Sequence, residues 1–266
     1  MINNEFRACL LIDPVVIVIS QFILPSRLLW AGWARMTALI AFVTIMICFF
    51  ISKLHLPTWM VSPPISLTGF LWPERGLYSF GFTLTFFFGL IATRQMKAVV
   101  HVSNGGSLSV LACNLLIVAL VGMLIQGLVP FQEDTIEMLL PGKSFPAVQT
   151  LIHLIGAAIF FLIAQLHGLL ILVDRLMVNP SKLPVKVKSI CLIGSVISLQ
   201  LMDAKNDGDP HAAFNVAGFY QRLGVLFILI FFADYSRDVY IIQSQSVNQP
   251  DANQSIVLVS QMSASE

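Results

Sequence analysis

Five histidines, His55, His101, His153, His167 and His211, are the first side chains to test for chemistry. Imidazole is the commonest metal ligand and the usual general base near neutral pH. None of the five belongs to an HExxH motif, and none sits with carboxylates at metal-ligand spacing. His153 and His167 share one apolar run fourteen residues apart, which places them on nearly one helix face but about 21 Å apart along it. They cannot hold one ion. His167 reads as a polar contact between helices. His153, about a turn inside the end of its run, reads either as a hydrogen-bonded partner of a neighbouring helix or as a proton-responsive site. On either reading His153→Ala is expected to leave the chain folded. Arg222, in GFYQRLGVLF, lies near one end of the last long apolar run. It can reach outward to water or pair with a carboxylate, Glu74 or Glu133. No serine stands in GxSxG, and no glycine-rich phosphate loop follows a strand-like run. The sequence therefore carries no catalytic residue, no metal site and no cofactor site, and reads as a non-enzyme.

The elements that position these residues follow from composition. Of 266 residues, 57% are hydrophobic and 11% charged, where a soluble domain carries about 25% charged residues to face water. Runs of roughly 17–25 apolar residues match helices that cross about 30 Å of hydrocarbon. Six such spans are expected: Leu29 to Leu54, Leu77 to Thr93, Leu108 to Val129, Val148 to Val173, Val187 to Met202 and Val216 to Ala233. The fifth is the weakest, because Lys186 and Lys188 must snorkel at its entrance. Lipid offers backbone groups no partner, and the runs lack barrel alternation, so the fold class is an all-α polytopic transmembrane bundle. Cys9, Cys48, Cys113 and Cys191 all fall inside apolar segments and read as small packing residues, with lipidation of Cys9 the alternative. The net charge of +1, with no block of like charges, points away from nucleic acid. The partners expected are membrane lipids and other membrane proteins.

Loop charge sets the expected orientation. Arg94 and Lys97 follow the second span with no acid, and Arg175, Lys182, Lys186 and Lys188 stand against Asp174 after the fourth. The third loop instead carries Glu133, Asp134 and Glu137, and the fifth carries Asp203, Asp207 and Asp209. Basic loops stay in the cytosol, so both termini are expected there and loops one, three and five outside it. Residues 1–27 form an N-terminal extension with an apolar stretch broken by Asp13-Pro14, read as an interfacial or packed helix, with a seventh span as the alternative. Residues 28–238 form the six-span domain. Residues 239–266 are expected to be a disordered cytosolic tail, in which the sequon at Asn253 stays unglycosylated.

Between the first two spans runs the ribbon PPISLTGFLWPERG, residues 63–76. Pro63, Pro64 and Pro73 restrict its backbone, Gly69 and Gly76 permit turns, and Ser66 and Thr68 can satisfy local backbone groups. It reads as a fixed cap over the helix ends, with Glu74 pairing a neighbour such as Arg222. Three patches resemble the damage-regulated autophagy modulator family, within the Frag/DRAM/Sfk group of six-span proteins. They are ISLTG at Ile65–Gly69 followed by Pro73-Glu74 and Gly76, then Phe131-Gln132-Glu133, then His153-Leu154-Ile155-Gly156-Ala157. Leu67 departs from the family, which commonly has aspartate there. The resemblance implies a non-enzymatic regulator of the lysosomal or endosomal membrane. The related branches imply instead remodelling of glycosylphosphatidylinositol anchors in the Golgi, or organisation of phosphatidylinositol 4-kinase at the plasma membrane. It marks Ser66, Thr68, Gly69, Pro73, Glu74, Gln132, Glu133, His153 and Arg222 as a candidate lumenal site.

Overall fold

The structure is a computed structural model that describes residues 26–102, 106–129, 148–178, 185–202 and 210–247. Every regular element among the described residues is helical: α1 (Ser26–Ser52), the single turn α2 (Ile65–Thr68), α3 (Glu74–Val102), α4 (Ser107–Leu128), α5 (Val148–Val173), α6 (Lys186–Met202), α7 (Pro210–Ala233) and α8 (Tyr235–Val247). A π-helical turn, Asp174–Val178, extends α5. Among the described residues, five stretches are long and apolar enough to cross a membrane: Gly32–Ser52, Glu74–Val100, Ser107–Leu128, Val148–Met177 and His211–Ile241. The expected fifth span is also a helix, α6, but its 17 residues extend only about 26 Å, a little short of the hydrocarbon thickness.

The helices pack inside-out relative to a soluble bundle. Along α1 the buried apolar residues are Ala34, Ala38, Ala41, Ile45 and Cys48, spaced four and three apart, with Thr37, Thr44 and Ser52 buried beside them, while Leu39, Phe42, Val43, Ile47 and Phe50 are exposed. Small side chains on a 3.5-residue repeat let neighbouring backbones approach, and large ones are left for lipid, where hydrocarbon makes burial of leucine or phenylalanine of little benefit. α1 packs on α3, α3 on α4, α4 on α5, α6 on α7, and α7 returns to α1. The tightest pair is α4–α5, because a Cβ at Gly122 would lie 2.8 Å from the Gly156 carbonyl oxygen and one at Gly156 would lie 2.9 Å from the Gly122 oxygen. The free thiols of Cys48, Cys113 and Cys191 are buried packing groups, as expected; Cys9 and most of the N-terminal extension lie outside the described residues.

Two expectations need correction at the end of the bundle opposite the ribbon. Lys188 does not snorkel; it is fully buried and donates to Asp234, with Asp238 at 3.1 Å. Arg175 holds the same Asp238 at 2.9 Å, and the Tyr235 ring lies 4.8 Å from the Lys188 ammonium. A helix entrance occupied by two facing carboxylates supplies a better partner than water reached along an extended side chain. For the same reason residues 239–247 do not begin a disordered tail. α8 continues to Val247, pinned by Asp238, by buried Tyr235 and by Val239 packed on Val99. Residues 248–266 lie outside the described residues.

Candidate functional site

The ribbon folds onto the bundle as a cap held chiefly by its backbone. Pro63 and Pro64 at its start lack N–H groups, so few donors need partners there, and the carbonyls left over attract cations and amides. One face of α7 meets them. Asn215 accepts from the Ser62 N–H at 2.7 Å and donates to the Trp59 carbonyl at 2.9 Å. Gln221 accepts from the Ile65 N–H at 2.7 Å, and Arg222 donates to the Pro63 carbonyl and the Ser62 hydroxyl. Gly218 lies between them, where a Cβ would run into the Ser62 and Pro63 backbone. Asn215, Gly218 and Arg222 follow helical spacing of three and four, so a single helix face reads the ribbon. Sequence analysis named Arg222 alone. The signal for the other two was their i, i+3, i+7 register with it.

The turn α2 then dips between helices. Ser66, with its hydroxyl buried, lies 2.9 Å from His153 Nε2, and His153 Nδ1 lies 2.6 Å from the Val129 carbonyl oxygen at the end of α4. A carbonyl oxygen only accepts, so Nδ1 carries the proton and Ser66 donates to Nε2. Gln126 Nε2 in turn lies 3.4 Å from the Ser66 oxygen and 3.3 Å from the Tyr78 hydroxyl. Through this chain of side chains α2 is tied to α3, α4 and α5. Thr68 closes the turn by donating to the Ile65 carbonyl at 2.7 Å, as expected of a local hydroxyl. Ser66 does not act locally; it makes the long-range bond.

Other site residues differ from expectation. Gly69 has φ −107°, ordinary backbone for any residue. Its requirement is space, since a Cβ there would overlap the Tyr78 ring. Gly76 is likewise close to Trp72, with a Cβ falling 2.8 Å from the indole. Pro73, exposed and in a cis bond to Trp72, ends the ribbon, and its carbonyl accepts from Gly76 N–H at 3.1 Å in the first turn of α3. Glu74 does not pair with Arg222. Its carboxylate is 1% exposed and faces His55 Nε2 at 3.6 Å, too long for a hydrogen bond. Neither Glu74 oxygen has a hydrogen-bond partner among the described residues. Gln132 and Glu133 lie outside the described residues.

Chemically, the assembly immobilises a loop. His153 and Ser66 have the spacing of a base and a nucleophile, yet the nearest cavity, lined by Ile65, Gln126, Phe160 and Phe161 among others, measures about 20 Å³, about the room for one water. A second cavity beside His167, Cys191 and Ser195 measures about 30 Å³. No group of three His, Cys, Asp or Glu side chains is placed to hold a metal among the described residues. His167 bridges the Ala112 carbonyl and the Tyr235 hydroxyl at 2.8 Å each, an interhelical contact as expected. The fold and site thus define a helical membrane-type bundle with a docked, re-entrant cap. No protein-family model, curated protein or solved structure matches the chain.

Proposed function

We propose that this chain is a six-span, non-enzymatic regulator of the lysosomal or endosomal membrane, of the kind its loop motifs resemble, with the ribbon capping its lumenal end. The observation that carries this reading is the contact between two of the three patches on which the resemblance rests: Ser66 of ISLTG is hydrogen-bonded to His153 of HLIGA, 87 residues away in sequence. Two of the three patches thus meet in one buried contact that holds a defined cap against the bundle. A sixth crossing by α6 is supported by its course along α7. Lys188 starts at the charged end beside Asp234, Gly194 packs on Phe227, and Ser198 and Leu199 lie beside Gly224. Its shortness is met by tilt of its neighbours or local thinning of the bilayer.

The test is a tagged copy imaged against lysosomal, Golgi and plasma-membrane markers, combined with deletion. Lysosomal residence with impaired autophagic flux on deletion is expected. Golgi residence with loss of anchored surface proteins would replace this reading with lipid remodelling. Plasma-membrane residence with loss of recruited phosphatidylinositol 4-kinase would replace it with kinase organisation.

A further inference from the structure

At the rim of the cap, two cations share one aromatic ring. The Lys53 ammonium lies 5.1 Å from the centre of the Phe49 ring and the Arg222 guanidinium 4.6 Å from it. Both are fixed in place. Lys53 donates to the Met60 and Val61 carbonyls at 2.5 Å each, and Arg222 donates to the Pro63 carbonyl and the Ser62 hydroxyl, so both hold the chain where it enters the ribbon. Neither has a carboxylate within ion-pair distance among the described residues; the ion pairs there are His55–Glu74 and those of Arg175 and Lys188. Burial, and then the charge of Arg222, push the Lys53 ammonium below its ordinary value. Two ordered positive charges thus lie within 5.1 Å of one ring centre, with no carboxylate partner among the described residues.

Their hydrogen-bonding capacity is not exhausted. An ammonium has three donors and a guanidinium five, of which residues 60–63 take two from each. Around them the surface is apolar: Phe50 is 63%, Leu54 80% and Val61 68% exposed. Trp59, 37% exposed and packed on His211 with ring centres 4.0 Å apart and planes tilted by 59°, completes an edge of the type found at headgroup depth. Anions present at that depth are phosphates. We propose that Lys53 and Arg222 form a phosphate-binding site at the rim of the cap, fitted to the headgroup phosphate of a phospholipid in the adjoining leaflet. The phosphate takes the free donors of both cations, with the guanidinium fork matching two of its oxygens. The lipid chains descend over Phe50 and Leu54. Binding clamps residues 60–63, where the chain enters the ribbon, between the end of α1 and α7, because both cations already hold carbonyls there.

The test uses the full chain in an uncharged glycoside detergent free of phosphate, with thermal unfolding and native mass spectrometry as readouts. The probes are dihexanoylphosphatidylglycerol, dihexanoylglycerol as the same chains without phosphate, and inorganic phosphate. The expected result is saturable stabilisation and retained adducts with the phospholipid and none with the diacylglycerol. Lys53→Met keeps the aliphatic stem, Arg222→Lys keeps the charge and removes the fork, and each is expected to weaken binding about tenfold. Equal protection by inorganic phosphate would support the same two residues with free phosphate as the ligand. The proposal is overturned if no phosphate-bearing probe binds wild type, or if Lys53→Met and Arg222→Lys bind as wild type does. Both outcomes stand apart from the organelle and flux measurements that test the proposed function.

Discussion

The change His153→Ala removes a side chain that reaches both the end of α4 and the ribbon. The residue types alone suggest a variant that still folds and reaches its membrane, and the geometry adds a definite cost. His153 is 1% exposed, and its hydrogen bonds include one to the Val129 carbonyl at 2.6 Å and one with Ser66 at 2.9 Å. Alanine strands two buried polar groups, at about 1–3 kcal/mol each, and leaves a cavity of imidazole size. Ser66 retains its long contact with Gln126 at 3.4 Å, so the lower half of that range applies, and the net loss is about 3 kcal/mol. For a chain of this size that lowers the melting temperature by about 6–12 °C. The buried thiols of Cys48, Cys113 and Cys191 suit a thiol-reactive dye that fluoresces as the bundle opens. Ser66→Ala costs less, about 1 kcal/mol, and the double variant costs less than the sum of the singles because the two residues form one bond. His153→Asn, which keeps a donor near the Nδ1 position, restores part of the loss. Melting of His153→Ala within a degree or two of wild type, or strictly additive behaviour with Ser66→Ala, refutes the pinned cap.

Gly156→Ala is expected to wedge α4 from α5, since its new Cβ meets backbone at 2.9 Å that no rotamer can relieve; a loss of about 2 kcal/mol or more should appear in the same melting assay. Gly218→Ala should release the ribbon and not the bundle, detected as protease cleavage between residues 57 and 64 without loss of helical circular dichroism. Lys188→Met leaves Asp234 and Asp238 facing each other with Arg175 alone to neutralise them, at a cost of about 3–5 kcal/mol; Lys188→Met with Asp234→Asn should recover part of it, and a melting temperature unchanged in the single variant would remove the network from the account. Lys53 binds its proton more weakly folded than unfolded. Between its lowered value and the ordinary 10.5 the unfolded chain holds more protons, so stability rises with pH across that window. Lys53→Met should flatten that rise, and an identical alkaline profile in the variant would contradict the placement of Lys53 beside Arg222.

Much of the architecture was legible in the chain because the bilayer simplifies the physics. A helix that must satisfy its own backbone in hydrocarbon announces itself by length and apolarity, so the long spans near Val148 to Val173 or Leu108 to Val129 could be bounded within a residue or two. Gly122 and Gly156 let α4 and α5 approach closely, and only the assembled bundle shows that each is the other's partner. The ribbon's proline and glycine content marked it as a fixed cap. What hydropathy could not reveal was where a charge turns when a partner exists. Lys188 at a helix entrance looks like a snorkelling lysine until Asp234 and Asp238, 46 and 50 residues on, are brought against it. Glu74 likewise met His55 and not Arg222, and the chain stayed helical past Val239 where α8 packs against α1 and α3. Local sequence sets how each helix forms and which face is greasy, since those depend on neighbours three or four residues away. The pairing of Ser66 with His153, of α7 with the ribbon, and of Lys53 with Arg222 depends on which helices become neighbours, and packing of the whole bundle decides that.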